Sequence, residues 1–180
     1  MRKRRLGQGL LGLVVLAGLL VSIQSPAAAA TQGPFIVVQP QSGKCLDVPN
    51  STTSDVAMII YTCGNPRRTN QQWNFVDTGG GNYWIQNRLT NKCLTVWGAR
   101  IDDNISVIQY ACNTGDNEEW YSESVVGYSG DPHDYYRIRN VNSDKCLQVK
   151  GAGTVNNTIL VQLECDSIGI HDEQWWTWYA

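Results

Sequence analysis

The sequence lacks the features that mark zinc-binding, membrane-spanning and helical proteins. No Cys-x-x-Cys pair is present, which excludes the usual ligand spacing of a zinc ribbon. Beyond Ile23 no second apolar run is long enough to cross a bilayer, so we expect no membrane insertion of the folded chain. No segment sustains an apolar repeat with a helical period, and the predicted helix content is therefore near zero.

Positive charge is scarce outside the N-terminus. Four of the 14 basic residues lie within residues 2–5, which leaves 10 basic against 16 acidic side chains after residue 30. Nucleic acids and anionic membranes are bound through a basic face that neutralises phosphates. The charge balance therefore argues against nucleic acid and against a membrane surface as partners.

The chain also lacks the motifs of common enzymes. Its only histidines, His133 and His171, fall in predicted loops, and there is no HExxH, Gly-x-Ser-x-Gly or glycine-rich phosphate loop. The adjacent carboxylates of Asp102–Asp103 and Glu118–Glu119 would point to opposite faces of a strand and cannot flank one glycosidic bond. We therefore predict a protein without catalytic residues, without a metal site and without a cofactor.

The first 30 residues have the layout of a secretory signal. A basic start is followed by an apolar run from Leu10 to Ile23 and then by the small residues 27–30. A transmembrane anchor, the alternative, would need roughly 18–20 apolar residues and usually lacks an alanine-rich end. We predict cleavage after Ala30 and a secreted, extracellular protein.

Six cysteines in an exported chain favour a disulfide framework. Consecutive pairs are separated by 18, 19 and 19 residues, and one pairing alone makes three copies of the same local link. The predicted bonds are Cys45–Cys63, Cys93–Cys112 and Cys146–Cys165.

The equal cysteine separations belong to a threefold sequence repeat. Three blocks recur in the same order. The first block is KCLDV at 44–48, KCLTV at 92–96 and KCLQV at 145–149, and the second is MIIYTC at 58–63, VIQYAC at 107–112 and LVQLEC at 160–165. The third block is NQQW at 70–73, NEEW at 117–120 and EQWW at 173–176. We predict one domain, residues 31–180, whose copies cover about 34–78, 82–125 and 134–180.

Each repeat contains about four short β-rich runs separated by turns rich in Gly, Asn, Asp and Ser. A unit of this size cannot bury its own apolar face, so the three units must share one core. Closure around a pseudo-threefold axis would also remove exposed sheet edges. The predicted fold is all-β, with about twelve strands.

The Cys-Leu-x-Val and Gln-x-Trp patterns closely resemble those of the ricin B-type lectin domain, a β-trefoil that is also a carbohydrate-binding module of bacterial glycoside hydrolases. The signature reads Gln71-Gln72-Trp73 and Gln174-Trp175-Trp176, and it is altered to Glu118-Glu119-Trp120 in the middle repeat. The resemblance covers residues 34–180 and implies a lectin. We expect the three signature tryptophans, Trp73, Trp120 and Trp176, to lie in the core. We interpret the other four tryptophans as core-edge residues, with a role as sugar platforms as the alternative, and they are Trp84, Trp97, Trp175 and Trp178.

A sugar-binding cleft is expected in the first repeat. Side chains alternate along a strand, so Cys45 and Asp47 would share the face away from the core. If Cys45 bonds Cys63, Asp47 and Tyr61 each lie two residues inward and are drawn into one cleft. A carboxylate that accepts hydrogen bonds from sugar hydroxyls, beside a ring that packs on the C–H face, is complementary to a sugar. By resemblance, the family's binding positions fall on Asp47, Ile59, Tyr61, Asn70 and Gln71.

The other two repeats match the binding pattern less well. The second repeat has Thr95 at the carboxylate position but keeps Tyr110 and Asn117, which makes it a second candidate site. The third repeat is interpreted as structural, because its equivalent residues are Gln148, Leu163 and Glu173.

The partners implied by the resemblance are galactose-containing or xylan-like glycans, with a separately encoded hydrolase as a further candidate partner. The alternative function is protein contact, as an inhibitor or as the targeting subunit of a toxin.

Overall fold

The structure is a computed structural model and describes residues 29–125, 131–166 and 173–180. All of the predicted signal except Ala29 and Ala30 therefore lies outside the described residues. The strands in this part of the chain are β1 (Thr31–Gln39), β2 (Lys44–Asp47), β3 (Ile59–Tyr61), β4 (Trp73–Gly79), β5 (Asn82–Asn87), β6 (Cys93–Val96), β7 (Ile105–Tyr110), β8 (Glu119–Val125), β9 (Tyr135–Asn140), β10 (Cys146–Val149), β11 (Thr158–Leu163) and β12 (Gln174–Tyr179).

Only short 3₁₀ turns accompany the strands in the described part of the chain. They are Pro49–Ser51, Thr69–Gln71, Trp97–Ala99, Asp116–Glu118 and Lys150–Ala152. The first, third and fifth follow equivalent strands, and their middle residues Asn50, Gly98 and Gly151 have φ values of 53°, 64° and 61°. This left-handed conformation favours glycine and asparagine, which explains the residues found there.

Six strands close into an antiparallel barrel. Around the barrel the order is β1, β4, β5, β8, β9, β12 and back to β1. The other six strands form the hairpins β2–β3, β6–β7 and β10–β11, and the third hairpin pairs with both of the others. The architecture is the β-trefoil, which confirms the predicted all-β fold with twelve strands.

One apolar core joins the three repeats. Equivalent positions of the repeats meet in a single cluster of buried side chains, and these are Val37, Ile85 and Ile138; Leu46, Leu94 and Leu147; Val48, Val96 and Val149; and Met58, Val107 and Leu160. Burial of so much apolar surface in one place is what a single small repeat could not achieve alone.

A buried tryptophan from each repeat completes this core. The indole N–H of Trp73 donates to the Leu46 carbonyl at 3.1 Å, that of Trp120 to Leu94 at 2.8 Å, and that of Trp175 to Leu147 at 2.9 Å. The predicted core tryptophan of the third repeat, Trp176, is therefore wrong by one residue: Trp176 is half-buried on the outer side of β12, where it contacts Trp178.

The three predicted disulfides are present, each within one repeat. The strand register between β2 and β3 differs from the predicted one, however. Cys45 lies opposite Tyr61 and Asp47 opposite Ile59, so Cys45 is bonded to a cysteine two residues beyond its strand partner. The disulfide closes across the end of the hairpin because Cys63 lies two residues beyond Tyr61, the last residue of β3.

Candidate functional site

The first-repeat cleft has a volume of about 130 Å³ and lies beside the β2–β3 hairpin. Four of the five residues predicted for it line this cleft, and they are Asp47, Ile59, Tyr61 and Asn70. Tyr61 lies diagonally across the hairpin from Asp47, because Asp47 is opposite Ile59 in the strand register. Sequence reasoning missed the remaining lining residues, which are Asn50, Ser51, Arg68 and Asn157.

The 3₁₀ turn before β4 fixes the geometry of the Asp47 carboxylate. The Val48 N–H donates to the Asn70 carbonyl at 3.1 Å, which holds this turn against the end of β2. The side-chain amides of Asn70 and Gln71 then donate to Oδ2 of Asp47 at 3.0 and 2.7 Å. Oδ1 receives no hydrogen bond from the described part of the chain, so one carboxylate oxygen is fixed and the other is available to a ligand.

Asp47 carries a clear electrostatic cost. Asp47 is only 4 % exposed, and burial raises the pKa of its carboxyl group from 3.8 to about 6. The amide donors of Gln71 and Asn70 and the positive charge of Arg68 act in the opposite direction and lower the pKa. A carboxylate held in this way is typical of a functional site, because it stabilises the fold less than a neutral group would.

The raised pKa predicts that Asp47 destabilises the folded protein as the pH rises. Below pH 3.8 the group is neutral in the folded and unfolded chains, and above about pH 6 it is charged in both. Through this window the folded state loses up to about 3 kcal/mol relative to a protein with a neutral group there. We expect Asp47→Asn to be more stable than the wild type at neutral pH and to lose that advantage near pH 4, as measured by urea unfolding. A difference that did not change with pH would contradict this cost.

Gln71 lies behind the cleft and does not line it. Gln71 is 1 % exposed, and its Oε1 accepts a hydrogen bond from the Gly64 N–H at 2.8 Å. Glu118 accepts the Asn113 N–H and Glu173 accepts the Asp166 N–H in the same way in the other repeats. Gln71 therefore has a scaffold role common to all repeats, and in the first repeat it also positions Asp47.

The second-repeat cleft is larger, with a volume of about 530 Å³. Both residues predicted for it, Tyr110 and Asn117, line it. Asn117 donates its side-chain amide to the Val96 carbonyl at 3.0 Å, as Asn70 does to Val48. Thr95 occupies the position of Asp47, and its hydroxyl donates to the Cys93 carbonyl at 3.0 Å.

The polar side chains at the site positions of the third repeat contact one another. Glu173 is fully buried and forms an ion pair with Arg137. Gln148 donates its amide to the Glu173 carboxylate at 3.2 Å and to the Glu164 carbonyl at 3.0 Å. Because Trp175 is the core tryptophan, Glu173 matches Gln71 and not Asn70, which corrects the alignment of this repeat. The residue at the position of Asn70 is Asp172, which is outside the described residues.

The remaining tryptophans divide into three groups. Trp175 belongs to the core and Trp97 is 56 % exposed, so the interpretation of both as core-edge residues is wrong. Trp84 and Trp178 are half-buried, as that interpretation predicts.

The structure adds little to the enzyme-like features of the sequence. His133 is exposed and its ring packs on Trp176, with 3.8 Å between the ring centroids, while His171 lies outside the described residues. Within residues 29–125, 131–166 and 173–180, no three His, Cys, Asp or Glu side chains form a cluster that could hold a metal ion. Within the same ranges, no helix has the length and apolar character needed to cross a membrane.

Several solved structures share this architecture. ThreeFoil, a designed threefold-symmetric protein, is 35 % identical, with a TM-score of 0.70 over 79 % of this chain and 96 % of ThreeFoil. The exo-beta-1,3-galactanase 1,3Gal43A from Clostridium thermocellum is 27 % identical, with a TM-score of 0.73 over 82 % of this chain and 30 % of the galactanase. The Rhizoctonia solani agglutinin is 17 % identical, with a TM-score of 0.66 over 88 % of this chain and 99 % of the agglutinin, a likeness of fold alone.

The match to a family model agrees with the structural comparison, although no curated protein sequence matches the chain. The model of the ricin-type beta-trefoil lectin domain-like family matches three overlapping segments, residues 26–110, 69–162 and 116–179. These segments cover all three repeats, and the chain belongs to the ricin-type beta-trefoil lectin domain-like family.

Proposed function

We propose that this protein is a secreted lectin that binds galactose-containing or xylan-like glycans, chiefly through the first-repeat cleft and without catalysis of its own. One observation carries the proposal. Oδ2 of Asp47 is held by two amides while Oδ1 is left for a ligand, in a cleft that also contains the Tyr61 ring.

The chemistry of this cleft suits a sugar. A sugar hydroxyl would donate to Oδ1 of Asp47, and the C–H face of the same ring would pack on Tyr61. Arg68 and Asn157 line the cleft and would donate hydrogen bonds to further hydroxyl oxygens. The volume of about 130 Å³ suits one sugar residue at a time.

The choice of glycan rests on resemblance. The similarity to an exo-beta-1,3-galactanase supports a galactose-containing glycan, and xylan is the second class to be tested. The matched part is 30 % of the galactanase chain, so its activity belongs to that protein. A separately encoded hydrolase that acts on the same glycan is the proposed protein partner.

The proposed extracellular location rests on the N-terminal signal pattern and on the disulfides. Three disulfides and no free cysteine among the described residues suit an oxidising compartment.

A glycan array probed with the purified protein tests the proposal. We expect signals on galactose- or xylose-containing glycans and an affinity for the monosaccharide of about 1 mM, or about −4 kcal/mol, because one stacking ring and a few water-competed hydrogen bonds form a weak site. A folded protein that gave no signal on the array and bound neither galactose nor xylose at tens of millimolar would contradict the proposal and favour the alternative of protein contact.

A further inference from the structure

A pocket of about 220 Å³ lies at one end of the six-stranded barrel. Every barrel strand contributes to its lining, and one lining residue from each strand, in order around the barrel, is Phe35, Phe75, Tyr83, Ser122, Tyr136 and Thr177. Phe35 is in the first half of β1, whereas the β2–β3 hairpin follows the other end of β1. Among the described residues, none lines both this barrel-end pocket and either of the two clefts. The pocket is therefore separate from the proposed glycan site.

These six residues form two sets of equivalent positions. The first set lies opposite the three core tryptophans in the strand register, and its members are Phe35, Tyr83 and Tyr136. The second set lies two residues after the same tryptophans along the chain, and its members are Phe75, Ser122 and Thr177. Because the two sets alternate around the barrel, each member of the second set lies between two members of the first.

In the first repeat an aromatic ring fills this layer of the barrel. Phe75 lies between Phe35 and Tyr83, with ring centroids 5.5 and 6.2 Å away and interplanar angles of 83° and 66°. These are edge-to-face contacts, which aromatic pairs prefer. Ser122 and Thr177 occupy the equivalent positions of the other repeats and are much smaller than phenylalanine. The pocket lies where the second and third repeats lack the ring that the first repeat has.

The lining of the pocket differs from that of a sugar-binding cleft. No charged side chain is among the described residues that line it, so it has no counterpart of the Asp47 carboxylate. Most of the lining is aromatic, and Trp175 and Ile138 of the core also contribute. An apolar, aromatic lining of this kind suits a flat apolar molecule better than a ring of hydroxyl groups.

The volume of the pocket indicates the size of such a molecule. An apolar cavity of roughly 150 Å³ holds one benzene molecule. The barrel-end pocket, at about 220 Å³, has room for one benzene ring with small substituents. At the position of Ser122 that ring would contact Tyr83 and Tyr136, as Phe75 contacts Phe35 and Tyr83.

Two hydroxyl groups give the pocket a polar part. The side chains of Ser122 and Thr177 line it, and neither hydroxyl has a hydrogen-bond partner among the described residues. A hydroxyl group on the ligand can both donate to and accept from such a partner. The lining is thus complementary to a ring that carries a hydroxyl group.

We propose that the barrel-end pocket is a second binding site, which takes a single-ring aromatic molecule with a hydroxyl group, a phenol, in the place that Phe75 fills in the first repeat. The site is independent of the proposed glycan binding, because it lies at the end of the barrel and uses other residues.

The probe is p-cresol, titrated into the ¹⁵N-labelled full-length protein and followed by two-dimensional NMR. We expect saturable shifts of the amide signals of Tyr83, Ser122, Tyr136 and Thr177, with a dissociation constant of about 1 mM or less. Cyclohexanol, a saturated ring of similar size with the same hydroxyl group, should bind at least about fivefold more weakly, because it makes no edge-to-face contacts.

Ser122→Phe gives the second repeat the ring that Phe75 gives the first, and it should fill the pocket. We expect this variant to show no saturable shifts with p-cresol at tens of millimolar. Ser122→Ala is the matched control, because it leaves the pocket open and removes one hydroxyl group. Its affinity for p-cresol should fall by about tenfold at most, the loss of one hydrogen bond. Thr177→Phe fills the pocket from the third repeat and replaces Ser122→Phe if that variant does not fold.

Three results would overturn the inference: no saturable shifts of the wild type with p-cresol, equal affinities for p-cresol and cyclohexanol, or p-cresol binding that persists in a folded Ser122→Phe or Thr177→Phe protein. If neither phenylalanine variant folds, the layer has no room for a further ring, and the inference is equally wrong. Binding of galactose or xylose should be the same in Ser122→Ala and the wild type. A wild type that binds p-cresol but no sugar would contradict the proposed function and support the barrel-end site.

Discussion

Trp73→Ala is expected to lower the free energy of unfolding by about 3–5 kcal/mol. The indole ring is fully buried in the core that the three repeats share, and its N–H donates to the Leu46 carbonyl. Truncation would leave a cavity at the centre of the trefoil and an unpaired buried carbonyl. Chemical denaturation monitored by far-ultraviolet circular dichroism gives the comparison with the wild type.

Tyr61→Ala is the matched control for this loss of stability. Tyr61 is half-buried and lines the first-repeat cleft, so its removal opens an existing cleft and creates no core cavity. We expect a loss of about 1 kcal/mol or less. If Tyr61→Ala cost more stability than Trp73→Ala, the assignment of core and binding residues would be reversed.

Asp47→Asn is expected to weaken monosaccharide binding by about 10- to 150-fold, which corresponds to the 1.5–3 kcal/mol of a hydrogen bond to a charged group. Asparagine retains an oxygen that can accept the amides of Asn70 and Gln71, so the scaffold around the cleft is preserved. The oxygen that faces the ligand becomes an NH₂ group, which cannot accept a sugar hydroxyl. Calorimetric titration with galactose and with xylose measures the effect.

Gln148→Ala is the control for Asp47→Asn, since Gln148 occupies the same position in the third repeat and contacts Glu173 there. We expect its affinity for the monosaccharide to equal that of the wild type. Equal losses from the two substitutions, or undiminished binding by Asp47→Asn, would show that the first-repeat cleft is not the principal site.

The threefold repetition made the fold predictable. The positions of Leu46, Leu94 and Leu147 each rest on a pattern that occurs three times, and the cysteine spacings indicated the same local link in every repeat. A pattern that must satisfy three equivalent units leaves few alternatives for the core. The resemblance to the ricin B-type lectin domain, and not the repetition, indicated four of the side chains that line the first-repeat cleft.

Details within one repeat were less predictable. Trp175 and Trp176 are adjacent, and only the indole hydrogen bond to Leu147 identifies Trp175 as the core residue. The disulfide did not reveal the strand register, because Cys63 lies beyond β3 and is not opposite Cys45. The first error arises because two adjacent residues have the same chemistry. The second arises because a disulfide constrains the distance between two cysteines and does not require them to be strand partners.

Contacts between repeats were outside the reach of an alignment of one repeat with another. Asn157 and Asp55 each line a cleft whose main residues are in a different repeat, and no local motif marks them. The exposure of Trp97 follows from its place in a 3₁₀ turn at the surface, which its residue type alone does not indicate.

The most direct test of glycan binding at the first-repeat cleft is a titration of ¹⁵N-labelled protein with galactose and with xylose, followed by two-dimensional NMR. We predict that one of these sugars shifts the amide signals of Asp47, Tyr61 and Asn70 and of their neighbours in the cleft, with a dissociation constant of about 1 mM. Saturable shifts confined to another part of the molecule, or no shifts at tens of millimolar of either sugar, would contradict the proposed function.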